Sequence, residues 1–243
     1  MNSGLYAAAA ALVARTQSLE LAANNLANIN TPGYKAQQMT FRSLLASSGV
    51  TLSNVNRAIN EFGVAAESTV DLSAGNMETT NNPLDFAIEG AGFFEVETKA
   101  GTRYTRNGRF QVSAAGELTT MDGHRVLGET GPILIPAGTV SVSPDGTISV
   151  NGAIAGRLRA VEFAPGTDMQ AEGLSLHTVP NGTAVIAGRG RIRQGLLESS
   201  NVNPVSGAVS LIATQRQAEM VQRVLGTFHS EFNRIAATEL PRI

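Results

Sequence analysis

The chain of 243 residues has no cysteine and no tryptophan, and aromatics make up only 5% of it. Without cysteine there can be no disulfide and no thiolate metal site. Charge is also sparse at 16%, with 18 Lys and Arg against 20 Asp and Glu for a formal net charge of −2. No basic excess marks a nucleic-acid footprint. The apolar run Leu5–Val13 is too short to span a bilayer. No Lys or Arg precedes it and Arg15 follows it, so it does not read as a cleavable signal peptide either.

Groupings that could carry chemistry are equally scarce. His124, His177 and His229 share no ligand-like spacing and read as solvated or core-edge residues. Gly90-x-Gly92 and Gly188-x-Gly190 lack a third glycine in register and lead into no helix, so close turns explain them better than nucleotide loops. There is no Gly-x-Ser-x-Gly elbow and no P-loop. Asp85, Glu89, Glu95 and Glu97 alternate through a strand-turn-strand passage, where solvent exposure accounts for them. Arg189, Arg191 and Arg193 share one face of a strand, as a solvated face or a subunit contact. No catalytic residue, cofactor or metal is expected.

What is present is patterned. Between Leu84 and Leu197 turn signals recur at Asn107-Gly108, Ala115-Gly116, Asp122-Gly123, Pro144-Asp145-Gly146, Asn151-Gly152 and Asn181-Gly182. Val140 and Val142 alternate before the Pro-Asp-Gly turn and Ile148 and Val150 after it, which predicts a hairpin with one buried face. No helical period interrupts these strands, so an antiparallel β domain is expected over 81–198. Residues 36–80 read as an extended connector with a few short strands.

The two ends differ in kind. Leu5, Ala9, Leu12, Thr16, Leu19, Ala23 and Leu26 recur at spacings of four and three. Leu211, Thr214, Ala218, Val221, Leu225, Phe228, Phe232 and Ile235 do the same near the other end. Such spacing draws a narrow apolar seam along a helix, as in a coiled coil. The first helix should run from about Ser3 to about Asn28 and stop at Thr31-Pro32-Gly33. The last should begin at Pro204 and end near Thr238. The fold class expected is therefore a mainly β central domain with long N- and C-terminal α-helices that pair as a coiled coil, an α+β arrangement. A long helix with one narrow stripe needs that stripe well covered, and packing against other copies covers more of it than a pair within one chain. Asn24, Asn25, Asn28 and Asn30 offer amides across packed helices, with helix-end capping as the competing reading.

Several ordered motifs resemble a known family. Ala23-Asn24-Asn25-Leu26-Ala27-Asn28-Ile29-Asn30-Thr31-Pro32-Gly33-Tyr34-Lys35 is similar to the N-terminal signature of bacterial flagellar rod and hook proteins. The stretches Asn82-Pro83-Leu84-Asp85-Phe86-Ala87-Ile88-Glu89-Gly90-Ala91-Gly92-Phe93-Phe94 and Tyr104-Thr105-Arg106-Asn107-Gly108-Arg109-Phe110 resemble the opening of their β domain. Gly195-Leu196-Leu197-Glu198-Ser199-Ser200-Asn201-Val202-Asn203-Pro204-Val205 and Gln215-Arg216-Gln217-Ala218-Glu219-Met220 resemble their C-terminal signature. Within the family the chain looks most like the proximal rod protein with a single β domain. Ala218 stands where the family usually has an aromatic, and Ser199 where it usually has glycine.

The resemblance implies a structural subunit of the flagellar basal-body rod, exported without a cleavable signal peptide through the flagellar type III apparatus into the periplasmic rod. Residues 1–35 and 199–243 would form the inner helical layer. Assembly contacts are expected at Leu5, Leu12, Leu19, Asn24, Asn25, Leu26, Asn28, Leu211, Val221, Leu225, Phe228, Phe232 and Ile235. Partners would be other copies and neighbouring rod proteins, with no nucleic acid, no small-molecule substrate and no membrane insertion. Two other readings compete: a β-rich binding module dimerised by its helices, and a hydrolase using the acidic residues near Leu84–Glu97. A distal-rod or hook-type axial protein is the alternative within the family.

Overall fold

The computed structural model describes residues 2–41, 66–173 and 175–239. Helix α1 spans Asn2–Ala27 and helix α2 spans Pro204–Glu239. The alanine-rich start of α1 favours helix. Its end is set by Pro32, which drives Thr31 out of the α region. The Thr31 hydroxyl donates to Asn28 Oδ1 at 3.0 Å, closing the turn that follows the helix. Pro204 occupies the first turn of α2, where its missing N–H costs nothing.

The described chain divides into two units. One holds the helices together with the residues around Met39; the other takes in Ala27–Gln37 and Thr69–Asn203. The chain passes between them at four places: Leu26/Ala27, Gln37/Gln38, Ser68/Thr69 and Asn203/Pro204. Of the connector expected over 36–80, residues 42–65 lie outside those described. Flanking them are the strands Gln37–Phe41 and Ala66–Val70, and further on Met77–Thr79 pairs with Leu196–Glu198.

In the β unit every described strand pairing is antiparallel. The largest sheet runs through Gln170–Glu172, Leu176–Thr178, Gly101–Thr105, Phe93–Thr98, Arg125–Gly128, Leu118–Thr120 and Phe110–Val112. Ala160–Phe163 also pairs with Phe93–Thr98 and carries Val185–Ala187 on its other side. The expected hairpin forms, with Val140 opposite Val150 and Val142 opposite Ile148. Asn151 (φ 51°) and Gly152 (φ 85°) then turn the chain into Ala153–Arg157, the paired positive φ of a tight hairpin turn.

Phe93–Thr98 has both faces covered. Phe94 and Val96 join the main core with Phe86, Phe110, Leu118 and Val126. Phe93 points into a smaller cluster with Tyr104, Val161 and Met169. Phe94 and Phe110 meet edge to face at 5.2 Å between ring centroids, a favoured aromatic geometry. The histidine reading needs correcting here. His177 is 2% exposed, because it takes the inward position of Leu176–Thr178 and lies opposite Tyr104. His124 is half-buried, and the side chain of His229 lies outside those described.

Candidate functional site

Along α1, Leu12, Leu19, Asn25 and Leu26 are half-buried, Asn24 is exposed and Asn28, just past the helix, is buried. The side chain of Leu5 lies outside those described. The intervening positions of the covered row are Arg15 and Ala22, not Thr16 and Ala23, which are exposed. Thr16 turns its hydroxyl back to donate to Leu12 O at 2.8 Å. Along α2, Leu211, Thr214, Val221 and Leu225 are half-buried and Ala218 is buried, while Phe228 is 50% exposed. Phe232 and Ile235 lie on α2 with side chains outside those described. A second apolar row on α2 is bare: Val205, Val209, Ile212, Met220 and Val224 are 48–73% exposed. At 100° per residue, Val205, Val209 and Ile212 stand roughly opposite the covered row.

The densest polar geometry lies within the β unit, and it starts from two glycines. Gly33 has φ +67°, and a Cβ there would sit 2.2 Å from Asn107 N, so only glycine lets this backbone lie on that turn. A Cβ on Gly75 would sit 1.9 Å from Ser199 O. These approaches lay the segments 33–36, 71–76 and 198–201 side by side. Gly33 N donates to Glu198 O at 2.7 Å and Asp71 N to Ala36 O at 2.8 Å. Ala36 N donates to Asn201 Oδ1 at 2.7 Å, and Asn201 Nδ2 donates to Asp71 O at 2.9 Å. Ser199 N donates to Asn76 O at 2.8 Å and its hydroxyl to the same oxygen at 3.0 Å.

At the centre is a buried carboxylate between two cations. Lys35 Nζ lies 2.7 Å from Glu198 Oε1, with side chains 1% and 0% exposed. Arg106 lies 3.2 Å from Glu198 Oε2. Gly75 N also donates to Glu198 Oε1 at 2.9 Å, and Lys35 donates to Ser73 O at 2.5 Å. Arg106 completes its fork on Ile88 O at 3.1 Å and Gly90 O at 2.8 Å. Its guanidinium sits 5.2 Å from the centre of the Phe93 ring, a cation–π placement. Burial pulls the Lys35 ammonium below the ordinary lysine value, against the hydrogen bond and charge of Glu198. Burial likewise lowers Arg106, again opposed by Glu198. One carboxylate thus holds two desolvated cations, and breaking such a pair from one side is far more damaging than its net contribution implies. We call this arrangement the clasp.

The clasp was not among the residues singled out above, although each member lies inside a quoted motif. Its chemistry is that of a tie between segments of the β unit. The acidic residues near Leu84–Glu97 form no carboxylate pair. Asp85 accepts from Asn82 Nδ2 at 3.0 Å, Glu89 pairs with Arg193 at 3.1 Å, Glu95 with Arg159 at 3.7 Å and Glu97 with Arg125 at 3.6 Å. An open apolar groove of about 570 Å³, lined by residues including Pro83, Leu84, Val112, Ile135, Pro136 and Val140, has no titratable side chain in its wall. Among the described residues no group of His, Asp and Glu could hold a metal ion, and no helix is long and apolar enough to cross a membrane.

Two long terminal helices, before and after an antiparallel β unit that holds a buried charge cluster, define an architectural class. Comparison with known proteins then fixes which kind. A family model described as flagella basal body rod protein matches residues 5–35. Another, described as the D1 domain of flagellar hook protein FlgE/F/G, matches 87–150. A third, the C-terminal region of flagellar basal body rod FlgEFG protein, matches 193–237. The flagellar basal-body rod protein FlgF of Escherichia coli (strain K12) is 32% identical over 93% of this chain and 94% of its own length. That of Caulobacter vibrioides is 34% identical over the whole of both chains. The flagellar basal-body rod protein FlgG of Bacillus subtilis is 31% identical over 93% of this chain and 95% of its own. The chain belongs to the flagellar basal-body rod protein family and is a structural rod subunit. Lys35, Arg106 and Glu198 each fall in a different one of the three matched regions.

Proposed function

We propose that this subunit polymerises through α1 and α2 into the helical layer of the rod, and that the clasp pins the chain segments leading into those helices, 27–37 and 198–203, within the β unit. The observation that carries the reading is the second, bare apolar row on α2. Only Arg15 and Glu20 are charged along Asn2–Ala27, so α1 offers mainly apolar rather than ionic contacts. Covering the five half-exposed large side chains of the bare row contributes on the order of 5 kcal/mol, enough to matter when repeated around a rod. Leu5, Leu12, Leu19 and Leu26 pack as a coiled coil against Leu211, Val221, Leu225, Phe228, Phe232 and Ile235 of the same and neighbouring copies. Contacts that run head to tail without closing give a filament rather than a ring.

On this reading the terminal stretches order fully on incorporation. The subunit reaches the periplasmic rod through the flagellar type III export apparatus and joins other rod proteins there, with no enzymatic step. The test is substitution on each face of α2. Val209→Asp, on the bare row, and Leu225→Asp, on the covered one, are both expected to abolish rod incorporation and motility while the β unit still folds. Normal motility with Val209→Asp would remove the second row from the mechanism.

A further inference from the structure

His177 is a buried imidazole that no part of the assembly reading uses. Neither ring nitrogen has a hydrogen-bond partner among the described residues. Its ring meets Phe93 edge-on at 5.8 Å between centroids, and Arg106 lies against that same Phe93. Arg106 Nε and Glu95 Oε2 are likewise buried without a hydrogen-bond partner among the described residues. Charged groups on the surrounding elements are Lys35, Arg103, Arg106, Glu198, Glu95, Glu162 and Glu172. Of these, Lys35 acts on the imidazole, and it opposes protonation.

We infer that His177 is an acid-sensitive latch on the clasp. Neutral, it leaves Lys35 and Arg106 to share Glu198. Protonated, it adds a third cation near enough to oppose Lys35, with no acceptor in place for either ring nitrogen. The clasp then opens, and the segments 27–37 and 198–203 part from the rest of the β unit. Nothing in this depends on how the subunit polymerises.

Burial, and secondarily Lys35, lowers the His177 pKa from 6.5 to about 4. The sign follows from linkage. Above pH 6.5 the ring is neutral whether the clasp is closed or open, and it contributes no pH dependence. Below 6.5 only the open form takes up the proton, so closure is progressively lost until pH falls to about 4. The clasp-opening constant should rise up to tenfold per pH unit, about 300-fold across that window.

The experiment is hydrogen exchange on the full chain from pH 7 to 4, wild type against His177→Phe, corrected for intrinsic rates. The Gly33, Ala36 and Gly75 amides, which donate to Glu198 O, Asn201 Oδ1 and Glu198 Oε1, report the clasp. Val96 and Val126 report the core. The clasp amides should lose protection on acidification in the wild type and stay far flatter in His177→Phe, where every carboxylate remains. Parallel profiles in the two proteins would overturn the latch. So would an equal loss at Val96 and Val126, which would mean that the whole unit opens. Should His177→Phe not fold, the wild-type imidazole NMR signal still decides. Silence down to about pH 5 supports the latch, and a midpoint near 6.5 refutes it.

Discussion

Glu198→Gln isolates the clasp, because it keeps the shape of the side chain and removes the charge between two cations. Both partners are buried, with Lys35 Nζ at 2.7 Å and the Arg106 guanidinium at 3.2 Å. Removing one member of a buried pair typically costs about 3–5 kcal/mol, because the remaining charge stays desolvated and unpaired. Here two cations are stranded, so the upper end of that range applies. A domain is stable by roughly 5–15 kcal/mol in all, so the loss is a large fraction of the whole. The β unit spans Ala27–Gln37 and Thr69–Asn203, a size at which each kcal/mol moves Tm by about 2–4 °C. The thermal midpoint of the β unit should therefore fall by roughly 10–20 °C. Because the pair is dry, added salt should not narrow the gap between variant and wild type. A shift under about 3 °C, or one that vanishes in salt, would refute the claim that these charges hold the clasp segments together. A double-mutant cycle with Lys35→Met would apportion the cost, and the coupling between the two positions should exceed about 1 kcal/mol.

Other outcomes follow from the same geometry. Gly33→Ala introduces a Cβ at positive φ and only 2.2 Å from Asn107 N. It should cost at least about 1 kcal/mol in a denaturant titration, with more from the displaced turn. Arg193→Ala removes a pair with Glu89 whose side chains are 55% and 59% exposed, so the same titration should show a change below about 1 kcal/mol.

Local signals made the frame legible. The end of α1 and the start of α2 follow from Pro32 and Pro204, which act within a few residues of themselves. The Val140–Val142 and Thr147–Val150 register follows from alternation about one turn. The clasp is of another kind. Lys35 and Glu198 are 163 residues apart, and Arg106 and Glu198 are 92 apart. One sequence says nothing about which of 20 acids meets which of 18 bases. The usable hint was chemical: Lys35 and Arg106 each sit two residues from a glycine, Gly33 and Gly108, whose Cβ position backbone atoms already fill. His177 was misread because a three-residue strand is too short for its alternation to declare an inward face. Half of the α1 seam was displaced by one residue, since Thr16 satisfies its hydroxyl on its own helix.

The most direct test is a cryo-EM reconstruction of the assembled basal body at side-chain resolution. The account predicts Val205, Val209 and Ile212 buried against helices of adjacent subunits, with Glu198 still seated between Lys35 and Arg106. Those three side chains facing water, or Glu198 parted from both bases in the assembled rod, would contradict it.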